Sequence, residues 1–86
     1  MEKSYIVKDK VGLHARPVSI LANIASQFDN DIFISYNGKK VTLKSILMVM
    51  SLGVPTGSEI TIEVNGDSPE KAHQALEEAM KHQGLV

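Results

Sequence analysis

The segment "IFISYNGKKVTL", residues 32–43, decides how the rest of the chain is read. Two runs, "IFISY" (32–36) and "KKVTL" (39–43), flank the dipeptide Asn37-Gly38. A type I′ turn needs positive φ at both central positions, which Asn and Gly tolerate best, so the dipeptide predicts a tight antiparallel hairpin. Farther on, "EITIEV" (59–64) alternates strictly, with Ile60, Ile62 and Val64 on one side and Glu59, Thr61 and Glu63 on the other. That is the pattern of a strand with one wet face, as antiparallel sheets have.

Outward from these strands the remaining elements fall into place. "SYIVK" (4–8) is β-branched and aromatic enough for a first strand, and Gly12 marks a turn after it. Val18, Leu21, Ala25 and Phe28 recur at helical spacing, which predicts a helix starting at Arg16 or Pro17 and ended by "DND" at 29–31. Ser45 can cap a short helix running to about Leu52, with Gly53 as its stop. Asn65-Gly66 turns the chain again. Ser68 as N-cap and Pro69 at the first helical position open a last helix. Its buried stripe is Ala72, Ala75, Leu76, Ala79 and Met80, and Gly84 ends it. His73 and His82 lie in that helix and are assigned to solvated surface. The expected fold class is α+β, an open-faced sandwich: a four-stranded antiparallel sheet with three helices packed on one face, in the order β-α-β-β-α-β-α.

Residues 1–86 read as a single domain, near the lower end of what buries a useful core unaided. With no cysteine, neither a disulfide nor a thiolate metal site can help, so packing by the 43% hydrophobic residues must suffice. The pattern calls for no metal and no cofactor. A net charge of −1 with scattered positives carries no footprint for nucleic acid, and two Tyr, two Phe and no Trp leave little for base stacking. No apolar run approaches the ~18 residues of a membrane span. "MEKSYIVKDK" lacks the basic-then-apolar order of a signal peptide. A cytoplasmic monomer is expected.

Chemistry concentrates in "VGLHARPVSIL" (11–21). With a helix starting at Arg16 or Pro17, Ala15 and Pro17 support the phosphate-facing helix start: Pro17 lacks only an N–H that would have had no intrahelical partner, and the remaining free N–H groups of the first turn face back toward the imidazole, where the helix dipole adds positive charge. Arg16 supplies a permanent cation whose fork suits phosphate. An anion on or beside His14 would meet backbone donors and a guanidinium together. Neutral imidazole is itself a competent nucleophile toward phosphorus, and the motif contains no acid to act as a base. A second feature is "KSILMVMSL" (44–52), apolar on nearly every side. A short helix on a sheet buries one face only, so part of this set must form an exposed apolar patch of the kind that docks partners. Phosphate on Ser45 would be tolerated at a helix N-terminus and would act on partners at that patch.

"GLHARP", "NGKKVTLKSI" and "MSLGV", in this order and spacing, resemble the HPr family, the histidine-containing phosphocarriers of the bacterial phosphoenolpyruvate-dependent sugar phosphotransferase system. The resemblance covers essentially the whole chain. It implies that His14 is the phosphoacceptor, charged on its δ nitrogen by enzyme I and discharged to sugar-specific IIA components, with Arg16 beside the phosphate. It implies that Ser45 is the regulatory serine which, in low-GC Gram-positive bacteria, HPr kinase/phosphorylase modifies to promote binding of a catabolite-repression regulator. Ile46, Leu47 and Met50 fall on the family's docking residues. The chain reads "KSILMVM" where that branch commonly reads "KSIMGVM", and "PVSIL" where "PAT" is commoner. Met48 in place of Gly raises helix propensity and adds a bulky side chain near the docking surface. Two other readings of the residues stay open: a small phosphatase passing through a phosphohistidine, and a non-catalytic interaction module acting through the helix at Ser45–Leu52.

Overall fold

The computed structural model describes residues 1–86. Its elements are β1 (Glu2–Ile6), α1 (Ala15–Ala25), β2 (Ile32–Tyr36), β3 (Lys39–Thr42), α2 (Ile46–Met50), β4 (Glu59–Val64) and α3 (Pro69–His82). The strands lie in the order β1-β4-β2-β3, and every neighbouring pair is antiparallel. This is the predicted open-faced sandwich. Asn37 and Gly38 both take positive φ, 52° and 81°, so β2 and β3 join through the tight turn their dipeptide demands.

Register decides which face is covered. Ile62 stands opposite Lys3 on one side and Ile34 on the other, so Ile60, Ile62, Val64, Ile32 and Ile34 all point toward the helices. They meet Val18 and Leu21 of α1 and Leu76 and Met80 of α3 in one buried cluster. The opposite face is wet and laced with polar contacts. Ser4 and Thr61 hydroxyls lie 2.9 Å apart, and Lys40 Nζ sits 3.1 Å from Glu63 Oε1 and 5.4 Å from the centre of the Phe33 ring.

Several boundaries differ from expectation, each for a physical reason. β1 ends at Ile6 because the ladder slips there: Val7 still donates to Ser58, next to β4 (2.9 Å), but its carbonyl accepts from Gly57 (2.7 Å), and Lys8 turns its amide to the Leu85 carbonyl (2.7 Å). α1 begins at Ala15 and stops at Ala25. Its last turn tightens, with Gln27 bonding Ile24 and Phe28 bonding Ala25, and Phe28 still packs on the core. α2 ends at Met50, short of Leu52.

Ser68 is the N-cap residue of α3 and Pro69 its first residue, as expected, but Ser68 sits in the left-handed region (φ 50°, ψ 53°) and its side chain bonds no helix amide. The turn before α3 is instead pinned by Asn30, whose Nδ2 donates to the carbonyls of Asn65 and Asp67, both at 2.8 Å. His73 is buried at 1% exposure, contrary to its assignment to the surface. Positions 73, 76 and 80 share one helical face, and Nε2 of His73 donates to the Met1 carbonyl at 2.8 Å, while its Nδ1 has no partner. Ala75 and Ala79 are only half-buried, and His82 is exposed. At the end of α3 the Leu85 amide reaches back to Met80 (2.9 Å) around Gly84 at φ +70°, which folds Leu85 into the core.

Candidate functional site

The site is built by a four-residue turn. The Asp9 carbonyl accepts from the Gly12 amide at 2.9 Å, and its Oδ1 accepts from the Val11 amide at 2.9 Å. Gly12 closes the turn at φ +79° and passes against the 54–56 backbone. Leu13, buried, then donates its amide to the Val54 carbonyl at 3.0 Å. The chain is thus fixed on both sides of the turn before it reaches His14.

His14 is the N-cap of α1, with extended backbone (φ −99°, ψ 178°), and its carbonyl takes the first helical bond from Val18 at 3.2 Å. Its side chain makes no capping bond. The amides of Ala15 and Arg16 find no backbone acceptor, which leaves two donors free at the helix start. Pro17 stands third in the helix rather than first. This costs nothing, since the amide it lacks would also have had no intrahelical partner.

The imidazole is held from the side by an unexpected group. Asp9 Oδ2 lies 3.1 Å from His14 Nε2, and the two side chains are 21% and 32% exposed. The Val11 amide, and then His14, hold the Asp9 carboxyl below the usual carboxylate range, so it is ionised at neutral pH. Asp9, His14 and Arg16 share a depression of about 250 Å³ with Pro17, Ile20 and Gln83. Arg16 enters no ion pair, so its guanidinium stands free at the depression. The depression thus holds a free cation and an imidazole with one unpaired nitrogen, next to a helix start with two free amides.

Of the residues the sequence singles out, the structure brings His14, Arg16 and Pro17 to this depression with Ala15 adjoining, and it adds Asp9, which the motif does not contain. The signal was present in "DKVG" (9–12), with Asp first and Gly fourth in a four-residue turn. Read as a turn, it brings residue 9 back beside residue 14.

The second feature lies elsewhere. Ser45 caps α2, its Oγ accepting from the Met48 amide at 3.2 Å. Within α2 only Val49 is buried. Ile46, Leu47, Met48 and Met50 are exposed, Leu47 by 83%. Ser45, Ile46 and Leu47 line a groove of about 390 Å³ against Ser19, Ala22, Asn23 and Ser26 of α1. Ile20 borders the His14 depression and Ser19 borders this groove, so the two features flank neighbouring turns of one helix without merging.

Compared with known proteins, residues 1–82 match the family model described as the PTS HPr component phosphorylation site. The chain belongs to the HPr family. It is 47% identical over 83 residues to the phosphocarrier protein HPr of Mycoplasma capricolum, covering 96% of this chain and 93% of that one. The fold matches a solved mycoplasma histidine-containing phosphocarrier protein at TM-score 0.97 and 45% identity, over 100% of this chain and 98% of that one. A phosphocarrier protein HPr from Bacillus anthracis matches at TM-score 0.83 and 43% identity, over 92% and 94% of the two chains. As an HPr-family chain it is a phosphocarrier of the phosphotransferase system.

Within this HPr fold the unusual residues have definite places. Met48 points outward beside Leu47, so its bulk widens the apolar patch and leaves the core unchanged. Val18 is fully buried, and the Ser19 hydroxyl donates back to the Ala15 carbonyl at 2.7 Å. Of the "PVSIL" variation, Val18 is therefore absorbed in the core, whereas Ser19 stays exposed and borders the groove beside α2.

Proposed function

We propose that His14 is the phosphoacceptor of this phosphocarrier and that Nδ1, the nitrogen Asp9 does not hold, takes the phosphoryl group. The observation that carries this reading is the His14 ring, held by Asp9 through Nε2 alone, beside a free Arg16 and two free amides. The Nδ1 lone pair attacks phosphorus and the N–P bond forms. The donor's bond to phosphorus breaks, and its electron pair leaves with the donor atom. Arg16 and the Ala15 and Arg16 amides neutralise charge on the phosphoryl oxygens. The reverse geometry serves delivery, so one exposed nitrogen is reached in turn by enzyme I and by a sugar-specific IIA component. The chain acts as a single-domain reactant, and its partners supply most of the catalysis.

Partners dock on the apolar residues Ile46, Leu47 and Met50 of α2. Ser45 is the regulatory position on the same reading, open to HPr kinase/phosphorylase and, once phosphorylated, to a catabolite-repression regulator. A dianion there sits at a capped helix start that tolerates it, and changes the edge of the docking patch rather than the fold.

The test is incubation of the purified chain with phosphoenolpyruvate and enzyme I, followed by phosphorus NMR and an acid-lability assay. An acid-labile phosphoramidate that is absent in His14→Ala is expected. A label that survives His14→Ala would overturn the assignment.

A further inference from the structure

The structure brings one charged residue to His14 that the motif around the histidine does not contain. Asp9 is fixed before any partner arrives. Its Oδ1 receives the Val11 amide at 2.9 Å and its carbonyl receives the Gly12 amide at 2.9 Å, so the carboxylate has little freedom to turn. Its remaining oxygen, Oδ2, faces Nε2 of His14 at 3.1 Å. An ionised carboxylate only accepts hydrogen bonds, so the nitrogen facing it must carry the proton. We propose that Asp9 is a positioning residue that holds His14 as the Nε2–H tautomer and thereby keeps the nucleophilic lone pair on Nδ1. The proposal rests on the reading of His14 as phosphoacceptor and deepens it.

The consequence for the transfer step is specific. Nδ1 has no proton to lose, so no base is needed when the N–P bond forms. The proton on Nε2 stays where it is. Attachment of phosphorus makes the ring cationic, and the Asp9 carboxylate stands against that charge along an existing hydrogen bond. A charge-assisted bond is roughly twice as strong as a neutral one, so the contact tightens as the ring charges. Arg16, the other charged group in the depression, serves the phosphoryl oxygens and not the ring.

Asparagine at position 9 gives a sharp test because it is nearly the same shape. Its single carbonyl oxygen can serve the Val11 amide or Nε2–H, but not both. The Val11 amide cannot change its donor character, whereas the imidazole can shift its proton to the other nitrogen. Asp9→Asn therefore keeps the turn and turns its NH2 toward Nε2, which must then accept. The proton moves to Nδ1 and the nucleophilic lone pair is lost. The same logic makes an Asp-to-Asn change damaging wherever an aspartate sets a histidine tautomer.

The experiment reads the tautomer and the chemistry separately. Nitrogen-15 NMR of the His14 ring, in its neutral form, is recorded for the wild-type chain, Asp9→Asn and Asp9→Ala, with amide spectra to confirm the fold. Acceptance is then measured with phosphoramidate, a small donor that forms the same N–P bond with loss of ammonia and needs no protein docking. The expected results are Nε2–H in the wild type, Nδ1–H in Asp9→Asn, and a mixture in Asp9→Ala. Acceptance should fall on the order of tenfold in Asp9→Ala, the equivalent of one pKa unit of lost stabilisation. It should fall further in Asp9→Asn. Folded Asp9→Asn that keeps both the wild-type tautomer and the wild-type rate overturns the role of Asp9 alone. A wild-type chain labelled somewhere other than His14 overturns the phosphoacceptor reading as well.

Discussion

Replacing Gly12 with alanine should damage this protein more than any other single methyl group added to a glycine. Gly12 has φ +79°, in the region that L-residues rarely enter. A Cβ there would lie 2.5 Å from the Val54 carbonyl oxygen and 3.1 Å from both Pro55 Cα and Thr56 N. All three are backbone atoms, so no side chain can rotate away. The left-handed backbone alone costs about 1–2 kcal/mol for a residue with a Cβ. Relieving the clash means moving the 54–56 segment, which adds strain of about 1–3 kcal/mol or loses the 3.0 Å bond from Leu13 to Val54, worth about 1 kcal/mol. Against this, alanine restricts the unfolded chain and returns about 0.4–1 kcal/mol. The net expectation is a loss of about 3 kcal/mol, a large part of the 5–15 kcal/mol typical of folded domains. In a chain this small it lowers Tm by roughly 15 °C.

Gly53 provides the control. It too has positive φ, +61°, but nothing lies within 4 Å of a Cβ built on it. Gly53→Ala should therefore cost only the backbone term less the entropic gain, about 1 kcal/mol. Urea titrations of both variants, compared at equal m-value, isolate the approach to Val54 as their difference. If the two variants are destabilised equally, the close passage of Gly12 past the 54–56 backbone is not what requires glycine there.

Further outcomes follow from the charged surface and from α2. The Tyr5 hydroxyl donates to Glu77 at 2.7 Å, and with help from Lys81 it lowers the Glu77 pKa from 4.5 to about 2. A depressed folded pKa gives stability that is present above pH 4.5 and lost as pH falls toward 2. Glu77→Gln should flatten the acid limb of a urea-midpoint-versus-pH curve across that window, and parallel curves would sink the idea. On the docking face, Leu47→Ala should change stability by no more than about 0.5 kcal/mol, because the side chain is already in solvent. Its neighbour Val49, buried at 1% exposure, should cost about 2 kcal/mol when cut to alanine. On the proposed reading, Leu47→Ala and Ser45→Asp both raise the KM for enzyme I while leaving phosphoramidate labelling of His14 unchanged; a normal KM in both would remove α2 from the docking surface.

Much of the fold was legible because it is written in local chemistry. Asn37-Gly38 specifies its turn without help from any distant residue, and the strict alternation in β4 names its own buried face. The candidate site was legible where it is contiguous, from His14 to Pro17. What escaped depends on residues far apart in the chain. Ser68 takes the cap position, but its hydroxyl bonds no helix amide, and the turn before α3 is set by Asn30, whose side chain arrives from 37 residues away to bond Asp67. His73 looks like surface by residue type, but the Met1 carbonyl, 72 residues away, supplies the acceptor that makes its burial affordable. In α2 the composition required an exposed apolar patch, yet only the seating of the helix against α1 and β3 selects Val49 for the core and leaves Leu47 outside.

A phosphocarrier faces two demands that pull apart. Its nucleophile must be exposed enough for successive partners, and an exposed histidine ordinarily has no fixed orientation or tautomer. Here the backbone resolves the conflict. The turn at 9–12 and the Leu13–Val54 bond fix the main chain immediately before His14, and the same turn delivers the Asp9 carboxylate to one side of the ring. The other nitrogen stays free without the site having to close. On the proposed reading docking falls on α2, across Ser19 and Ile20 from His14. Charge added at Ser45 would then act on whether partners arrive, while Asp9 would act on what His14 can do once they have. Such a separation would let regulation change the flow of phosphoryl groups without altering the intrinsic reactivity of the carrier. Ser45→Asp should therefore leave the His14 tautomer unchanged, whereas Asp9→Asn should invert it.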